Sequence, residues 1–274
     1  MMPKTNPDGI NIDYQLRGQG EPLVMITGTA STQDSWLFQT PVFKKHYRVV
    51  IFDNRGAGRS DRPIGPYSIK MMADDTVGLM NHLGIEKAHI LGHSMGGMIA
   101  QELAINYPER VLRLVLASTF ARRDEANGFS SELSQALRYL GYDERHSDSD
   151  IGNIPNRKAV NALYGLFFNN RLYRTIFIAM MKLRVRKLKG TVRYTEQFEA
   201  VLGHNTADRL QLVNAPTLVI TGSKDRVFKP GSSELIAELI PDARLVRVDN
   251  GSHVFFVEMR NKFNREVLDF LKGA

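Results

Sequence analysis

Ser94 lies in Gly92-His93-Ser94-Met95-Gly96-Gly97, a Gly-x-Ser-x-Gly pattern in which the serine could serve as a nucleophile. A serine hydroxyl at its free pKa attacks poorly, so it needs a neighbouring base held in place by a third group. Small flanking residues permit a sharp strand-to-helix turn that lifts the hydroxyl clear of the chain. A plain glycine-rich turn with an incidental serine would carry the same letters. A phosphate-cradling loop fits less well, because neither Gly-x-Gly-x-x-Gly nor a Gly-Lys-Ser/Thr ending is present.

The chain has seven histidines from which a base could come. His253, in Asn250-Gly251-Ser252-His253, follows the last strand-like run and precedes the last helix-like one. In an open parallel sheet, catalytic groups gather at the carboxyl ends of strands, where this histidine falls. His89 sits inside an apolar run and reads as a core residue, while His46, His82, His146 and His204 read as surface or middle-segment residues. His93 adjoins Ser94 too closely to fold back onto its hydroxyl. The orienting acid should also end a strand, and Asp225, in Gly222-Ser223-Lys224-Asp225-Arg226-Val227, does so. Asp124, after the preceding strand, competes for the role, and an exposed loop aspartate between Lys224 and Arg226 is the plain alternative.

These side chains need a scaffold. Near-continuous apolar runs at Leu23–Thr27, Arg48–Asp53, Ala88–Gly92, Leu112–Ala117, Thr217–Thr221 and Arg244–Val248 predict strands buried on both faces. An earlier antiparallel strand is expected over Ile10–Leu16. Helical periodicity marks Ser68–Leu83, Met95–Tyr107 (stopped by Pro108), Ser232–Leu239 and Val257–Leu271. Strands alternating with helices predict an α/β, mostly parallel, doubly wound sheet. The alternation fails over residues 121–205, which read as a helical cap inserted into a core made of residues 1–120 and 206–274.

Composition narrows the classes. With 274 residues, 43% of them hydrophobic, the chain can bury a substantial core. It has no cysteine, which removes disulfides, thiolate metal sites and a cysteine nucleophile. No apolar run approaches the roughly 20 residues that span a bilayer, and the first ten residues lack a signal-like apolar stretch. A cytoplasmic location is therefore the expectation. Of the net charge of +7, +8 falls between Arg171 and Arg193, a stretch without an acid, so the rest of the chain sums to −1. No nucleic-acid-binding module accompanies that charge. The run is compatible with a solvated helix face, an attractant for carboxylate-bearing substrates, or a surface for anionic membranes.

The stretch Phe52-Asp53-Asn54-Arg55-Gly56-Ala57-Gly58-Arg59-Ser60 resembles the Asp-x-Arg-Gly-x-Gly-x-Ser turn of the α/β-hydrolase superfamily. Gly65-Pro66-Tyr67-Ser68, the serine turn and Tyr107-Pro108-Glu109-Arg110-Val111 resemble its serine esterase and 3-oxoadipate enol-lactonase-like branch. The likeness covers nearly the whole chain outside the middle segment. It implies the α/β-hydrolase fold and a triad of Ser94, Asp225 and His253, in the chain order this fold uses. It also implies an oxyanion hole made by the backbone N–H groups of Met95 and of Thr29, the latter in the loop Thr27-Gly28-Thr29-Ala30. Thr27 stands where the family usually has histidine, so the side chain that props this loop differs here. Trp36 matches an aromatic residue frequent at its position and reads as packing.

Residues and resemblance together imply acyl transfer without a metal or cofactor. The first expectation is a carboxylic-ester hydrolase that forms an acyl-enzyme on Ser94 and takes a small-molecule ester or lactone. The second is an enol-lactonase or carbon–carbon bond hydrolase acting on an anionic ring-cleavage product. The third is a slow-turnover ligand receptor on the same fold. Serine at position 94 argues against haloalkane dehalogenase and epoxide hydrolase chemistry, which need a carboxylate there. Phe167, Phe168, Leu172, Ile176, Phe177, Met180 and Met181 give the cap an apolar surface. Among them Phe168, Ile176, Phe177 and Met180 are the expected substrate-pocket residues.

Overall fold

The apolar runs assemble into one seven-stranded sheet: β1 (Tyr14–Arg17), β2 (Pro22–Ile26), β3 (Arg48–Phe52), β4 (Ala88–His93), β5 (Val111–Ala117), β6 (Thr217–Gly222) and β7 (Ala243–Val248). The computed structural model describes residues 9–124, 126–139, 165–176, 179, 195–229 and 231–273. Strand order is β1-β3-β2-β4-β5-β6-β7, with β1 antiparallel to β3 and every other neighbouring pair parallel.

Because side chains alternate across a strand, successive apolar residues supply two different cores. Val24, Ile26, Val50, Phe52, Leu114 and Leu116 face one core, shared with α1 (Ile69–His82) and α2 (Met95–Asn106). Leu23, Met25, Val49, Ile51, Val115 and Ala117 face the other, shared with Trp36 and Phe263. The sheet is thus covered on both sides, as a parallel sheet requires. Trp36 packs its ring 5.1 Å from that of Phe256, in keeping with a packing role. Helix α1 begins at Ser68, whose Oγ accepts a hydrogen bond from the Met71 N–H at 3.1 Å, satisfying one of the unpaired donors at a helix start.

Strand β2 lies between β3 and β4, so the chain turns to opposite sides of β2 on its two following crossovers. Register places Ile26 beside Gly92. The segments leaving β2 and β4 therefore emerge side by side at the carboxyl edge, the place where open α/β sheets bind ligands.

Two expected elements differ in extent. The first strand is confined to Tyr14–Arg17 and not Ile10–Leu16. Ile10 and Ile12 are buried, but the backbone N–H groups around them are taken by side chains: Asn11 N–H donates to Asp61 Oδ2 and Asp13 N–H to Ser60 Oγ. The terminal helix expected at Val257–Leu271 is split into one turn at Phe255–Glu258 and a longer helix over Arg260–Leu271, broken at Met259 with φ −119° and ψ 37°.

Within residues 121–205 the structure describes α3 (Ser131–Tyr139), the segment 165–176 and α4 (Thr195–Leu202). Phe177, Met180, Met181 and the basic residues from Lys182 to Arg193 lie outside the described residues. Beyond residue 205 come α5 (Gly231–Leu239), between β6 and β7, and α6 (Arg260–Leu271). Among the described residues, no helix is long and apolar enough to cross a membrane.

Two glycines separate packing from conformational strain. A Cβ on Gly92 would lie 2.2 Å from Gly96 O, whereas one on Gly84 would meet nothing within 4 Å, although Gly84 has φ +63°. Gly84→Ala should therefore cost about 1 kcal/mol from backbone strain alone. Gly92→Ala should cost at least ~2 kcal/mol because backbone must move. Urea denaturation of the two variants checks the order.

Candidate active site

Ser94 connects β4 to α2 with φ 57° and ψ −122°. A non-glycine residue held there costs on the order of 1–3 kcal/mol, so the surroundings must enforce it. They do so through backbone contacts. The Ser94 N–H donates to Ala117 O at 3.0 Å, and Ser94 O accepts from the Gly97 N–H and from Thr119 Oγ1, each at 2.9 Å. A Cβ on Gly96 would sit 2.2 Å from Ile26 O, so only glycine lets the first turn of α2 approach β2 this closely. Ser94 is 9% exposed. Met95 is the first residue of α2, so its N–H has no acceptor within the helix and lies at the positive end of the helix dipole.

The loop leaving β2 presses against this turn. A Cβ on Gly28 would fall 3.0 Å from Ser94 Cβ. Thr27 is buried, and its carbonyl accepts a hydrogen bond from Asn54 Nδ2 at 3.0 Å. Asn54 thus props the loop from the turn after β3. Farther along, Ala30 has φ 58° and its N–H donates to Gln197 Oε1 at 2.9 Å. Thr29 lies between these two anchors, and among the described residues its N–H has no acceptor.

His253 is wholly buried at the end of β7. Its Nδ1 lies 2.8 Å from Asp225 Oδ2. Asp225 Oδ1 in turn accepts from the backbone N–H groups of Val227 at 2.8 Å and Phe228 at 3.1 Å. Burial alone would push the Asp225 carboxyl up, but the charge and hydrogen bond of His253 and the two backbone donors hold it below the usual carboxylate range. An ionised carboxylate only accepts, so the proton of a neutral His253 resides on Nδ1 and leaves Nε2 as a lone-pair acceptor. Among the described residues Nε2 has no hydrogen-bond partner.

Three rings fix the imidazole. Phe228 and Phe167 meet it edge-on at centroid distances of 4.9 and 5.3 Å, and His93 lies 5.0 Å away. His93 Nε2 is 3.0 Å from His253 O, and since a carbonyl only accepts, Nε2 carries the proton. Burial, then the neighbouring His253, drives the His93 pKa down to about 3, so it adds no positive charge beside His253 at neutral pH. His93 thus ties down the backbone of His253. Neither this bond nor the two phenyl contacts was legible in the sequence, because they join residues far apart in the chain.

Asp124 does not approach His253. Its Oδ1 accepts from Asn127 Nδ2 and from the N–H groups of Ala126 and Asn127, and its Oδ2 from Arg122, which together set its pKa at about 2. It closes its own loop. His204, expected at the surface or in the cap, is buried, its ring 5.9 Å from Phe120 and its Nε2 3.4 Å from Gln101 Oε1. Burial rules out the surface alternative, and residue 204 packs against Gln101 of α2 and Phe120. His89 is a buried residue of β4, bonded through Nε2 to Glu21 at 2.8 Å.

Of the expected pocket residues, Phe168 is buried and lines a cavity of about 370 Å³ with Arg171, Arg174 and Arg226. Ile176 is 47% exposed. Phe177 and Met180 lie outside the described residues. A second cavity of about 210 Å³ touches Asp225 and Phe228, and Ser94 and His253 line neither. Arg226, next to Asp225, binds the carbonyls of Gly165 and Phe168 and so fastens segment 165–168 beside the histidine. Among the described residues no group of three His, Cys, Asp or Glu side chains is placed to hold a metal ion.

The family model for the alpha/beta hydrolase fold matches residues 21–259. The chain therefore belongs to the α/β-hydrolase family. It is 30% identical over 273 residues to a protein of Azorhizobium caulinodans named "Putative carbamate hydrolase RutD", with 98% of each chain covered. It is also 30% identical over 271 residues to 3-oxoadipate enol-lactonase 2 of Acinetobacter baylyi, covering 96% of this chain and 94% of that one. Among solved structures it resembles the meta-cleavage product hydrolase of Pseudomonas fluorescens IP01, with a TM-score of 0.81, 28% identity, and 97% of this chain and 96% of that one covered. The enzyme class is thus a hydrolase acting on a small molecule.

The Asp225–His253 contact has a spectroscopic consequence. Wild-type protein should show a strongly downfield Nδ1 proton in its 1H NMR spectrum. The signal should vanish in Asp225→Asn and persist in Asp124→Asn.

Proposed function

We propose that this chain is a serine hydrolase that cleaves a carboxylic ester through an acyl-enzyme on Ser94, with residues 121–205 as its cap. The observation that carries the reading is the buried Asp225–His253 pair. It leaves Nε2 free to accept a proton at the same sheet edge that holds Ser94 in its strained turn.

In this reading Ser94 Oγ attacks the ester carbonyl carbon as its proton passes to His253 Nε2. The negative charge moves to the carbonyl oxygen, which accepts hydrogen bonds from the Thr29 and Met95 N–H groups. A single donor of this kind is worth roughly 3 kcal/mol in acyl transfer. The tetrahedral intermediate collapses, the leaving alcohol takes the proton from His253, and the acyl group stays on Ser94. Water then gives its proton to His253 and attacks the acyl carbon, which releases the acid and restores the serine. Asp225 remains ionised throughout, holding the tautomer and stabilising the imidazolium.

A second reading keeps this machinery and changes the substrate to an anionic ring-cleavage product, as an enol-lactonase or carbon–carbon bond hydrolase. It is supported by the cavity where Arg171, Arg174 and Arg226 converge, and by relatives named for those activities. A carbamate would offer the same carbonyl to the same serine, in line with the name of the Azorhizobium caulinodans relative. A panel of p-nitrophenyl esters, lactones, carbamates and dienoate-type ketones distinguishes these substrates.

On the best substrate of that panel, Ser94→Ala and His253→Ala should each lower kcat by at least ~10³-fold with the fold intact by circular dichroism, because triad members act as a unit. Asp225→Asn should cost about 10⁴-fold, since an amide favours the wrong histidine tautomer. Asp124→Asn should stay within about twofold of wild type, because its loop contacts do not reach the base. Full activity in a clean Ser94→Ala preparation would remove the serine from the mechanism.

A further inference from the structure

We propose that Gln197 is a positioning residue for the oxyanion loop, so that the donor at Thr29 depends on the seating of helix α4. The inference rests on the serine-hydrolase reading above and extends it to a residue outside the core motifs.

Gln197 is the third residue of α4 and is completely buried. Both ends of its amide are used: Oε1 accepts from the Ala30 N–H at 2.9 Å, and Nε2 donates to Arg55 O at 2.7 Å. The first bond fixes the peptide unit that joins Thr29 to Ala30, the unit directly after the proposed donor. Ala30 has φ 58°, a conformation an alanine seldom adopts without outside support. The second bond anchors the amide to a rigid point. Arg55 is paired with Asp75 through Nε–Oδ2 at 2.6 Å and Nη2–Oδ1 at 2.7 Å, both side chains nearly inaccessible.

Chain position makes this more than loop packing. Thr27 O is held from within the core by Asn54, whereas Ala30 is held from a helix 167 residues away in sequence. One end of the oxyanion loop therefore belongs to the sheet and the other to the segment returning from the proposed cap. Gln197 takes up part of the propping role that a histidine at position 27 would otherwise fill. Displacement of α4 would release the Thr29–Ala30 peptide to rotate, swinging the neighbouring N–H away from the developing oxyanion while leaving Ser94, His253 and Asp225 in place.

The probe is a fluorophosphonate, whose phosphoryl oxygen needs the oxyanion donors during attack. Ser94 Oγ forms the P–O bond, fluoride leaves, and the serine proton passes to His253. In Gln197→Leu the second-order labelling rate per folded molecule should fall ~10–100-fold. For p-nitrophenyl acetate the loss should appear in kcat with KM within about threefold, since the donor acts mainly in the transition state. Gln197→Glu, which keeps an acceptor for Ala30, should recover part of the rate. In the wild-type protein the Ala30 amide should be protected from hydrogen exchange, a measurement that stands even if the leucine variant does not fold. A melting temperature that falls while the labelling rate stays at the wild-type value would overturn the proposal, as would an Ala30 amide that exchanges like open loop. A wild-type protein never labelled at Ser94 would overturn the nucleophile reading as well, and that result is distinct from a labelled serine indifferent to Gln197.

Discussion

The close approach of β2, β4 and the first turn of α2 is the constraint from which the site follows. Ile26 lies beside Gly92, and the Ile26 carbonyl sits where a side chain on Gly96 would have to go. Three backbone segments meet with no room for a Cβ, and the chain leaves β4 through a turn that sets Ser94 at φ 57°. The hydrogen bonds to Ala117 O and from Thr119 and Gly97 hold the serine in that conformation. The same contact brings the β2 loop against the serine, and among the described residues the N–H of Met95 at the helix start has no acceptor. The strain at Ser94, its place against the β2 loop and the proposed anion-stabilising donors thus follow from one packing arrangement.

Electrostatics complete it. A buried carboxylate is unfavourable unless compensated, and Asp225 has three donors directed at it. The neighbouring titratable ring, His93, is kept neutral by burial. Phe167 and Phe228 exclude water from the histidine edge, which strengthens the carboxylate–imidazole interaction. The Arg226 bonds to Gly165 and Phe168 join the acid's loop to the segment carrying Phe167.

The legible part of the sequence was the part governed by local rules. Two-sided burial gave the six parallel strands to within a residue or two, and Gly-x-Ser-x-Gly between a strand and a helix located the serine turn. His253 and Asp225 could be chosen because strand ends in a parallel sheet converge, and their contact is 2.8 Å. Side-chain competition for backbone donors was not legible, which is why Ile10–Leu16 read as strand when Ser60 and Asp61 take those N–H groups. The burial of His204 was not legible either, since it depends on Gln101 and Phe120, far away in the chain. Gln197 carries no motif around it, and Asn54 occupies the unspecified position of the Asp-x-Arg-Gly turn. Their importance lies in contacts across 167 and 27 residues, visible only once the fold brings the partners together.

The central claim is that a covalent acyl-serine lies on the reaction path. Rapid acid quenching during turnover of p-nitrophenyl acetate, followed by peptide mass spectrometry, tests it directly. The account predicts an acetyl group on the peptide containing Ser94, formed in a burst as fast as p-nitrophenol release and then lost at the steady-state turnover rate. An acetyl group on another residue, or full turnover with Ser94 unmodified at every time point, would contradict it.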